Sequence, residues 1–284
     1  MALEDIARHQ ASLNQETARL VLNAIKDQGV PVTIDQVNAL VDRLYPRVVK
    51  ARRAAYLAQV MELGRQARAA GVEIRPEPLE DYPRRALFSA IADIARLSPR
   101  STKIRLDLLD KTTGEIIETP VVPDRTNRTD LVVVNRIGRE LGARIARHVQ
   151  QAGRKVLSES AHNGTVRLAI SGRPVGAGYA RVLSGRENCA FCTMLASRGA
   201  VYNEDTAIRR KDGRRYHDGC DCIPVLVVKG KNWEGQQQAD ALYERWVDIT
   251  WDRGKPAVDQ WRLWRHHVES DRFDATKFSP LSKK

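Results

Sequence analysis

The sequence predicts a mainly α fold with a small α+β module near the C-terminus and a projecting β-hairpin. Three observations support this fold class. The first hundred residues repeat apolar side chains at helical spacing. Residues 103–122 change to two β-rich runs around a Thr-Thr-Gly turn. All four cysteines of the 284-residue chain lie between positions 189 and 222.

These changes of pattern divide the chain into consecutive segments. A length of 284 residues favours more than one structural unit. The predicted segments are a helical N-terminal region (1–100), a β-hairpin (101–123), a long basic amphipathic helix with a connector (124–185), a cysteine and histidine module (186–228) and a tryptophan-rich tail (229–284).

Three helices are predicted in the N-terminal region. The first ends at Gly29, a suitable residue just past a helix end. The second begins after a Thr33 cap and ends at Gly71. Pro46 lies inside this second helix, and we expect it to kink or divide the helix at the preceding residue. A shorter helix covers about Arg84 to Leu97.

The next helix, from about Arg125 to Leu157, combines an apolar face with an excess of arginine. At 100° per residue the apolar side chains share one face: Leu131, Val134, Ile137, Leu141, Ile145, Val149 and Val156. The arginines fall mostly on the opposite side: Arg125, Arg128, Arg136, Arg139, Arg144, Arg147 and Arg154. Only Asp130 and Glu140 supply acid within this span. The pattern predicts a positive stripe roughly 40 Å long. We expect this positive stripe to contact DNA or an acidic protein. The alternative is that it is only a solvated face.

The remaining segments have characters of their own. Residues 163–187 are rich in glycine and are predicted to form an irregular connector. All five tryptophans lie beyond position 228, on two short helical patterns around the sequence DRGKP. With few other core residues nearby, this tail is expected to dock on another surface.

Composition and charge narrow the classes of partner. The net charge of +12 favours polyanionic partners such as nucleic acid or an acidic protein surface. No run of eighteen apolar residues occurs, so no membrane partner is expected. The first residues lack the apolar stretch of a signal peptide. We therefore expect a reducing cytoplasm during synthesis, where clustered cysteines favour metal over disulfides.

The cysteines fall into two groups with metal-ligand spacing. Cys189 and Cys192 form a Cys-x-x-Cys pair at a predicted helix start, where exposed N–H groups favour thiolate. His217, Cys220 and Cys222 follow as His-x-x-Cys-x-Cys. Zn²⁺ takes four tetrahedral nitrogen or sulfur ligands, so the spacing predicts a zinc site. These five donors fill every position and no glutamate adjoins the histidine, which indicates a structural ion rather than a catalytic one.

Two questions about these residues remain open from the sequence. The four cysteines are the favoured ligands, and His217 either replaces one of them or bonds to a ligand. Disulfides that cross between the two groups are an alternative in an oxidised particle, and unligated buried thiols are another.

No catalytic constellation stands out elsewhere in the chain. Ser158, Ser160 and His162 are near one another in sequence, but a nucleophile and its base need only meet in space. The Gly-x-Ser-x-Gly pattern is absent. His266 and His267 lie on a tryptophan-rich helix and fit an amphipathic face.

The cysteine segment resembles a known family. Residues 178–225, from "GYARVLSGRENCAFCTMLASRGAVY" through "YHDGCDCIPV", resemble the MuF-like minor head proteins of tailed phages, in the versions found in phages of actinobacteria. Several spacings agree at once, over under a fifth of the chain.

The resemblance implies a minor capsid, or head morphogenesis, protein that acts by structure and interaction and is not an enzyme. Its implied partners are the portal protein, the capsid and scaffold proteins, and packaged double-stranded DNA bound without sequence preference. The implied location is the interior of the phage head near the portal, after assembly in the host cytoplasm. Many relatives are labelled capsid maturation proteases, so that activity is the alternative. A metal-dependent nuclease or toxin-like enzyme is a second one.

Overall fold

The computed structural model describes residues 3–97, 108–109, 116–118, 128–163, 166–184, 189–199, 220 and 222–270. Its helices are α1 (Leu3–Gln28), α2 (Ile34–Ala70), α3 (Arg84–Ile94), α4 (Leu131–Asn163), α5 (Ala190–Ser197), α6 (Gln236–Thr250) and α7 (Gln260–Glu269). Its strands are β1 (Val72–Glu73), β2 (Leu108–Leu109), β3 (Ile116–Glu118), β4 (Arg167–Leu168), β5 (Ala177–Val182), β6 (Ile223–Val228), β7 (Trp251–Asp252) and β8 (Lys255–Pro256). The predicted mainly helical fold is confirmed, and the strands pair in small antiparallel sheets.

The N-terminal helices end where the glycines predict. Gly29 and Gly71 follow α1 and α2 with φ angles of 74° and 68°, a left-handed conformation that glycine adopts without strain. Of the two predicted effects of Pro46, a kink or a division, the division does not occur, because helix α2 runs without a break through this residue. Leu44 and Val48 on either side are fully buried, and this packing keeps the helix continuous despite the lost hydrogen bond.

Helix α4 begins later than the sequence predicts because Asp130 caps it. One carboxylate oxygen of Asp130 accepts the N–H groups of Val132 and Val133 at 2.8 and 3.2 Å. The apolar face is buried from Val134 onward, whereas Leu131 is 68% exposed. The helix then continues to Asn163, past its predicted end.

The predicted hairpin is seen only in part. Strands β2 and β3 pair antiparallel, with Leu108 opposite Glu118, as a hairpin requires. The remaining residues of the predicted span, 103–122, lie outside the described residues, and so do those that would show a projection of the hairpin from the body.

The chain divides into two units that cut across the consecutive segments of the sequence. Unit 1 comprises residues 1–12, 53–79 and 150–284, and unit 2 comprises residues 13–52 and 80–149. Helices α1, α2 and α4 each contribute one part to each unit, because long helices extend beyond a single core. Within unit 2, α1 and α4 approach closely at Gly142, where a side chain would begin 3.1 Å from the Cα of Ala18.

Unit 1 is built around the ribbon of β5 and β6, whose strands pair from Ala177 opposite Val228 to Val182 opposite Ile223. Side chains alternate between two apolar clusters: Val225 and Val227 belong to one, while Leu226 and Val228 belong to the other. The prediction of an irregular connector is therefore wrong for residues 177–182. Glycines before and after this short strand concealed its alternation.

The tryptophan-rich tail packs within unit 1 of the same chain. Trp246 on α6 and Trp264 on α7 lie in one apolar cluster, with ring centroids 5.2 Å apart. Between these helices the sequence DRGKP lies at a short hairpin, β7 paired with β8, that the sequence did not predict. Among the described residues, no helix is both long and apolar enough to cross a membrane.

Candidate metal centre

The two cysteine groups meet beside helix α5. Cys189 is the residue just before this helix, in an extended conformation, and its sulfur accepts the N–H group of Cys192 at 3.3 Å. Cys220 and Cys222 lie just before β6 in the sequence, so the pairing of β6 with β5 holds them in place in the fold. The predicted helix start at the first cysteine pair is confirmed.

Three thiols lie in mutual contact. The Sγ of Cys220 lies 3.3 Å from that of Cys192 and 3.1 Å from that of Cys222. All three are buried, and their sulfurs lie within 4.8 Å of one another, which is a geometry that can hold a metal ion. Cys189 is half-buried and packs against the same cluster. The four cysteines are free thiols in this structure.

The thiols hold their protons strongly in the absence of metal. Hydrogen bonds with Cys189, Cys220 and Cys222, together with burial, raise the pKa of Cys192 well above its ordinary value. A hydrogen bond with Cys192 acts to lower the pKa of Cys222, but contact with Cys220 and burial outweigh it and raise that pKa to about 12. Binding of a divalent metal would therefore release protons from this cluster.

The residues present fit a zinc ion. With Zn–S bonds of about 2.3 Å, tetrahedral geometry separates two sulfurs by about 3.8 Å. The observed separations of 3.1 and 3.3 Å lie about 0.5 to 0.7 Å below that value, a difference that rotation about side-chain bonds can supply. The N–H group of Cys192 already points at the sulfur of Cys189, where it would stabilise a thiolate and favour a fourth ligand.

Two buried arginines adjoin the cluster. Arg154 of α4 is 2% exposed, and its Nη2 donates to the main-chain oxygens of Cys220 at 2.5 Å and Cys222 at 3.2 Å. Arg181 of β5 is 4% exposed and lies with its Nη1 4.0 Å from the Sγ of Cys222. No sequence pattern singled out Arg181 as a site residue. The available signal in the sequence was its position between two apolar residues, Ala180 and Val182.

The predicted arginine stripe is not one continuous exposed surface. Arg147 and Arg154 are buried, with 8% and 2% of their surface exposed, because burial around α4 extends beyond its apolar face. Arg139 is exposed. Nucleic-acid binding by the stripe stays a prediction, now confined to the arginines that solvent reaches.

The other arginines of the stripe have partners in unit 2. Arg128 donates to the main-chain oxygens of Gln28 and Val30, which ties the start of α4 to the end of α1. Two further pairs are loose ion pairs, Arg136 with Glu140 at 3.5 Å and Arg144 with Asp93 at 3.8 Å. Arg125 lies outside the described residues.

The remaining candidates from the sequence lie outside the described residues or have other partners. His217 and the side chain of His162 lie outside what the structure describes. The hydroxyls of Ser158 and Ser160 donate to carbonyls of their own helix at 3.1 and 2.5 Å. His267 lies on α7, where Arg245 donates to its ring at 3.3 Å.

Comparison with known proteins gives matches among phage proteins. A family model described as "VG15 protein" matches residues 2–249. The Gene 15 protein of Mycobacterium phage L5 is 27% identical over a 145-residue alignment, which covers 39% of this chain and 47% of that protein. The Gene 15 protein of Mycobacterium phage D29 is 29% identical over 128 residues, which covers 36% of this chain and 44% of that protein. No solved structure matches.

The two kinds of match differ in how much of the chain they cover. The chain spans less than half the length of the curated relatives it matches. The phage origin implied by the sequence resemblance is supported, while a MuF-like capsid role goes beyond these findings. Because the family model covers most of the chain, from α1 to the end of α6, the chain belongs to the VG15 protein family, a family of phage proteins.

Proposed function

We propose that the chain is a minor capsid, or head morphogenesis, protein of a tailed phage, with a structural zinc site in its cysteine module. The observation that carries the proposal is the convergence of Cys192, Cys220 and Cys222 on one buried cluster. These residues belong to the same motif that resembles the MuF-like head proteins. Membership in a phage protein family is consistent with it.

Burial supports a structural role for the metal. A catalytic zinc keeps one coordination position open to water and substrate. Here Cys192 and Cys222 are 3% and 0% exposed, and the apolar side chains of Leu183 and Leu242 pack in the same cluster. In the part of the chain that the structure describes, the buried thiols leave the proposed ion little exposed to solvent, as expected for a structural zinc.

A metal ion would add a cross-link between two short elements of unit 1. Helix α5 has only eight residues, and β6 pairs with a single partner strand. Short elements of this kind are marginal by themselves. Thiolate ligation would hold the start of α5 against the start of β6 at the point where the two groups meet.

The proposed partners are the portal protein, the capsid and scaffold proteins, and packaged double-stranded DNA. A net charge of +12 supports a polyanionic neighbour. Contacts with phosphate would be independent of base sequence and sensitive to salt. The proposed location is the interior of the head near the portal.

Protein analysis of phage particles tests this role. Virions and procapsids of the encoding phage are purified, and the chain is quantified by mass spectrometry against the portal protein. We expect a few copies per head and cross-links to the portal. Absence of the chain from both particles would overturn the proposal.

The protease alternative has a separate outcome. The chain is co-expressed with its capsid and scaffold proteins, and their masses are followed during assembly. Processing that disappears when Ser158 or Ser160 is changed to Ala would assign an enzyme. Unchanged masses with normal incorporation are the expected result for a structural protein.

A further inference from the structure

Arg154, which is far from the cysteines in sequence, contacts the main chain of the cysteine cluster. Its guanidinium donates to the main-chain oxygens of Cys220 and Cys222 through a single nitrogen atom. These two residues are the two cysteines of the Cys-x-Cys motif, so one side chain contacts both of them. Their sulfurs lie 3.1 Å apart, and that of Cys220 lies 3.3 Å from the sulfur of Cys192.

The chemistry of this contact favours arginine. A guanidinium is always charged and carries donors in a rigid planar fork, so it loses little freedom when it bonds to two carbonyls. A buried arginine is costly unless hydrogen bonds compensate its desolvation. The contact with the two ligand-bearing residues contributes to that compensation.

Electrostatics give the same arginine a second effect. Several thiolates around one divalent ion carry excess negative charge, which is unfavourable in a buried site. Arg154 and Arg181 bring two positive charges to the same cluster, the latter 4.0 Å from the Sγ of Cys222. Groups that orient and charge-balance the ligands typically alter metal affinity by ten- to a hundredfold.

We infer that Arg154 is a positioning residue of the metal centre, which holds Cys220 and Cys222 in their ligating arrangement and offsets thiolate charge. This inference rests on the structural zinc site proposed above. It assigns to the metal centre a residue that the sequence pattern had grouped with nucleic-acid contacts.

The test compares two buried arginines on one helix. Arg154→Gln removes the charge and shortens the side chain, so the amide no longer reaches the two carbonyls. Arg147→Gln is the matched control, because Arg147 is also buried on α4 but lies in unit 2 beside His148. Zinc affinity is measured by competition with a chromogenic chelator, and the Co²⁺-loaded forms are compared by their thiolate-to-metal absorption bands.

The expected result is a ten- to hundredfold loss of zinc affinity and altered cobalt bands for Arg154→Gln, with neither change for Arg147→Gln. Equal losses in both variants would indicate general destabilisation and overturn the inference. Unchanged affinity in Arg154→Gln would overturn it while leaving the zinc site intact. A wild-type protein that binds no zinc would instead refute the metal site itself.

A second variant covers the case in which Arg154→Gln does not fold. Arg154→Lys keeps the charge but replaces the planar fork by a single ammonium group. We expect it to fold and to lose zinc affinity to a smaller extent, with altered cobalt bands. Affinity and bands equal to those of the wild type would overturn the positioning role.

Discussion

The indole nitrogen of Trp264 lies 3.1 Å from the main-chain oxygen of Ala190, to which it donates a hydrogen bond across 74 positions of the chain. The same N–H group lies 3.2 Å from the hydroxyl oxygen of Thr193. Ala190 is the first residue of α5, the helix that carries Cys192. The tryptophan-rich tail therefore supports the same short helix that presents Cys192 to the thiol cluster.

Replacing Trp264 with Ala is expected to destabilise unit 1 by about 3 to 5 kcal/mol, since loss of the fully buried indole leaves a cavity and removes its hydrogen bonds. Urea unfolding followed by tryptophan fluorescence measures the loss. All five tryptophans lie in unit 1, so the signal reports on that unit.

Trp261→Ala is the control on the same helix. Trp261 is 40% exposed and packs edge to face against Phe191, so a loss of about 1 kcal/mol of stability is expected. Equal losses would contradict the assigned role.

Purified protein is expected to carry about one zinc ion per chain, and Cys192→Ser is expected to release it. Hydrogen exchange should then accelerate in α5 and β6, which depend on the ion, while residues 34–52 of α2 stay protected. Metal analysis and exchange mass spectrometry measure both effects. Reduced protein prepared without chelator that contains no metal would contradict the prediction.

Thiol counting separates zinc from the disulfide alternative. Denatured, chelator-treated protein from particles should present four titratable thiols if the cysteines bind zinc. Cross-linked pairs would present fewer thiols until a reductant is added.

Helix packing in unit 1 gives a prediction about glycine. A Cβ atom on Gly153 would lie 2.7 Å from the main-chain oxygen of Ala55, which cannot move independently of α2. Gly153→Ala is therefore expected to destabilise unit 1 by about 1 to 3 kcal/mol. Gly64→Ala is the control, because its new methyl meets only the flexible Arg68 at 3.5 Å. There the change should stabilise the helix by up to about 1 kcal/mol. Fluorescence-detected urea unfolding distinguishes the two, and a gain in both would contradict the close packing.

A buried tyrosine predicts the pH dependence of unit 2. Burial raises the pKa of Tyr82 above its ordinary value near 10, and its hydroxyl lies 2.7 Å from Nδ1 of His148. Because the folded state binds this proton more tightly, its contribution to stability is complete below about pH 10 and falls as the pH rises further.

Circular dichroism during urea unfolding at about pH 9 and about pH 12 measures this contribution. Tyr82→Phe removes the titrating group and is expected to lose less stability between these two values than the wild type. Equal losses would show that Tyr82 titrates alike in the folded and unfolded chains.

The sequence predicted local features better than distant ones. Gly29 and Gly71 marked helix ends because a left-handed residue is a local requirement. The pairing of Val72 with Leu168, by contrast, joins residues far apart, and no periodic pattern announces it. Pro46 does not divide α2, because burial on both sides outweighs the local cost of the proline.

The candidate site shows the same limit. The metal-ligand spacing predicted that the two cysteine groups would meet, and the fold brings Cys192, Cys220 and Cys222 together with Cys189 beside them. Arg154 was grouped by its angle around α4, but that angle does not say which surface the strand ribbon covers. Only the fold shows that the residue meets Cys220.

The exposed arginines of α4 are expected to bind DNA in a salt-dependent way. Arg139 is exposed, and Arg136 is partly exposed and forms a loose ion pair with Glu140 at 3.5 Å, so we expect both to reach phosphate. Each phosphate neutralised contributes a slope of about −0.9 in log affinity against log salt. Changing both arginines to Gln is expected to flatten the slope for random duplex DNA by about 2 units. Fluorescence anisotropy across a salt series measures it.

The control is Arg147→Gln, since Arg147 is 8% exposed and its Nη2 lies 3.2 Å from Nε2 of His148. That change should leave the salt slope unaltered, because a buried guanidinium does not reach phosphate. Glutamine is nearly as good a helix former as arginine, so α4 persists in every variant. An unchanged slope in the Arg136 and Arg139 double variant would remove this surface from DNA binding. If that variant kept its DNA affinity but lost portal binding, the exposed arginines would face an acidic protein surface instead.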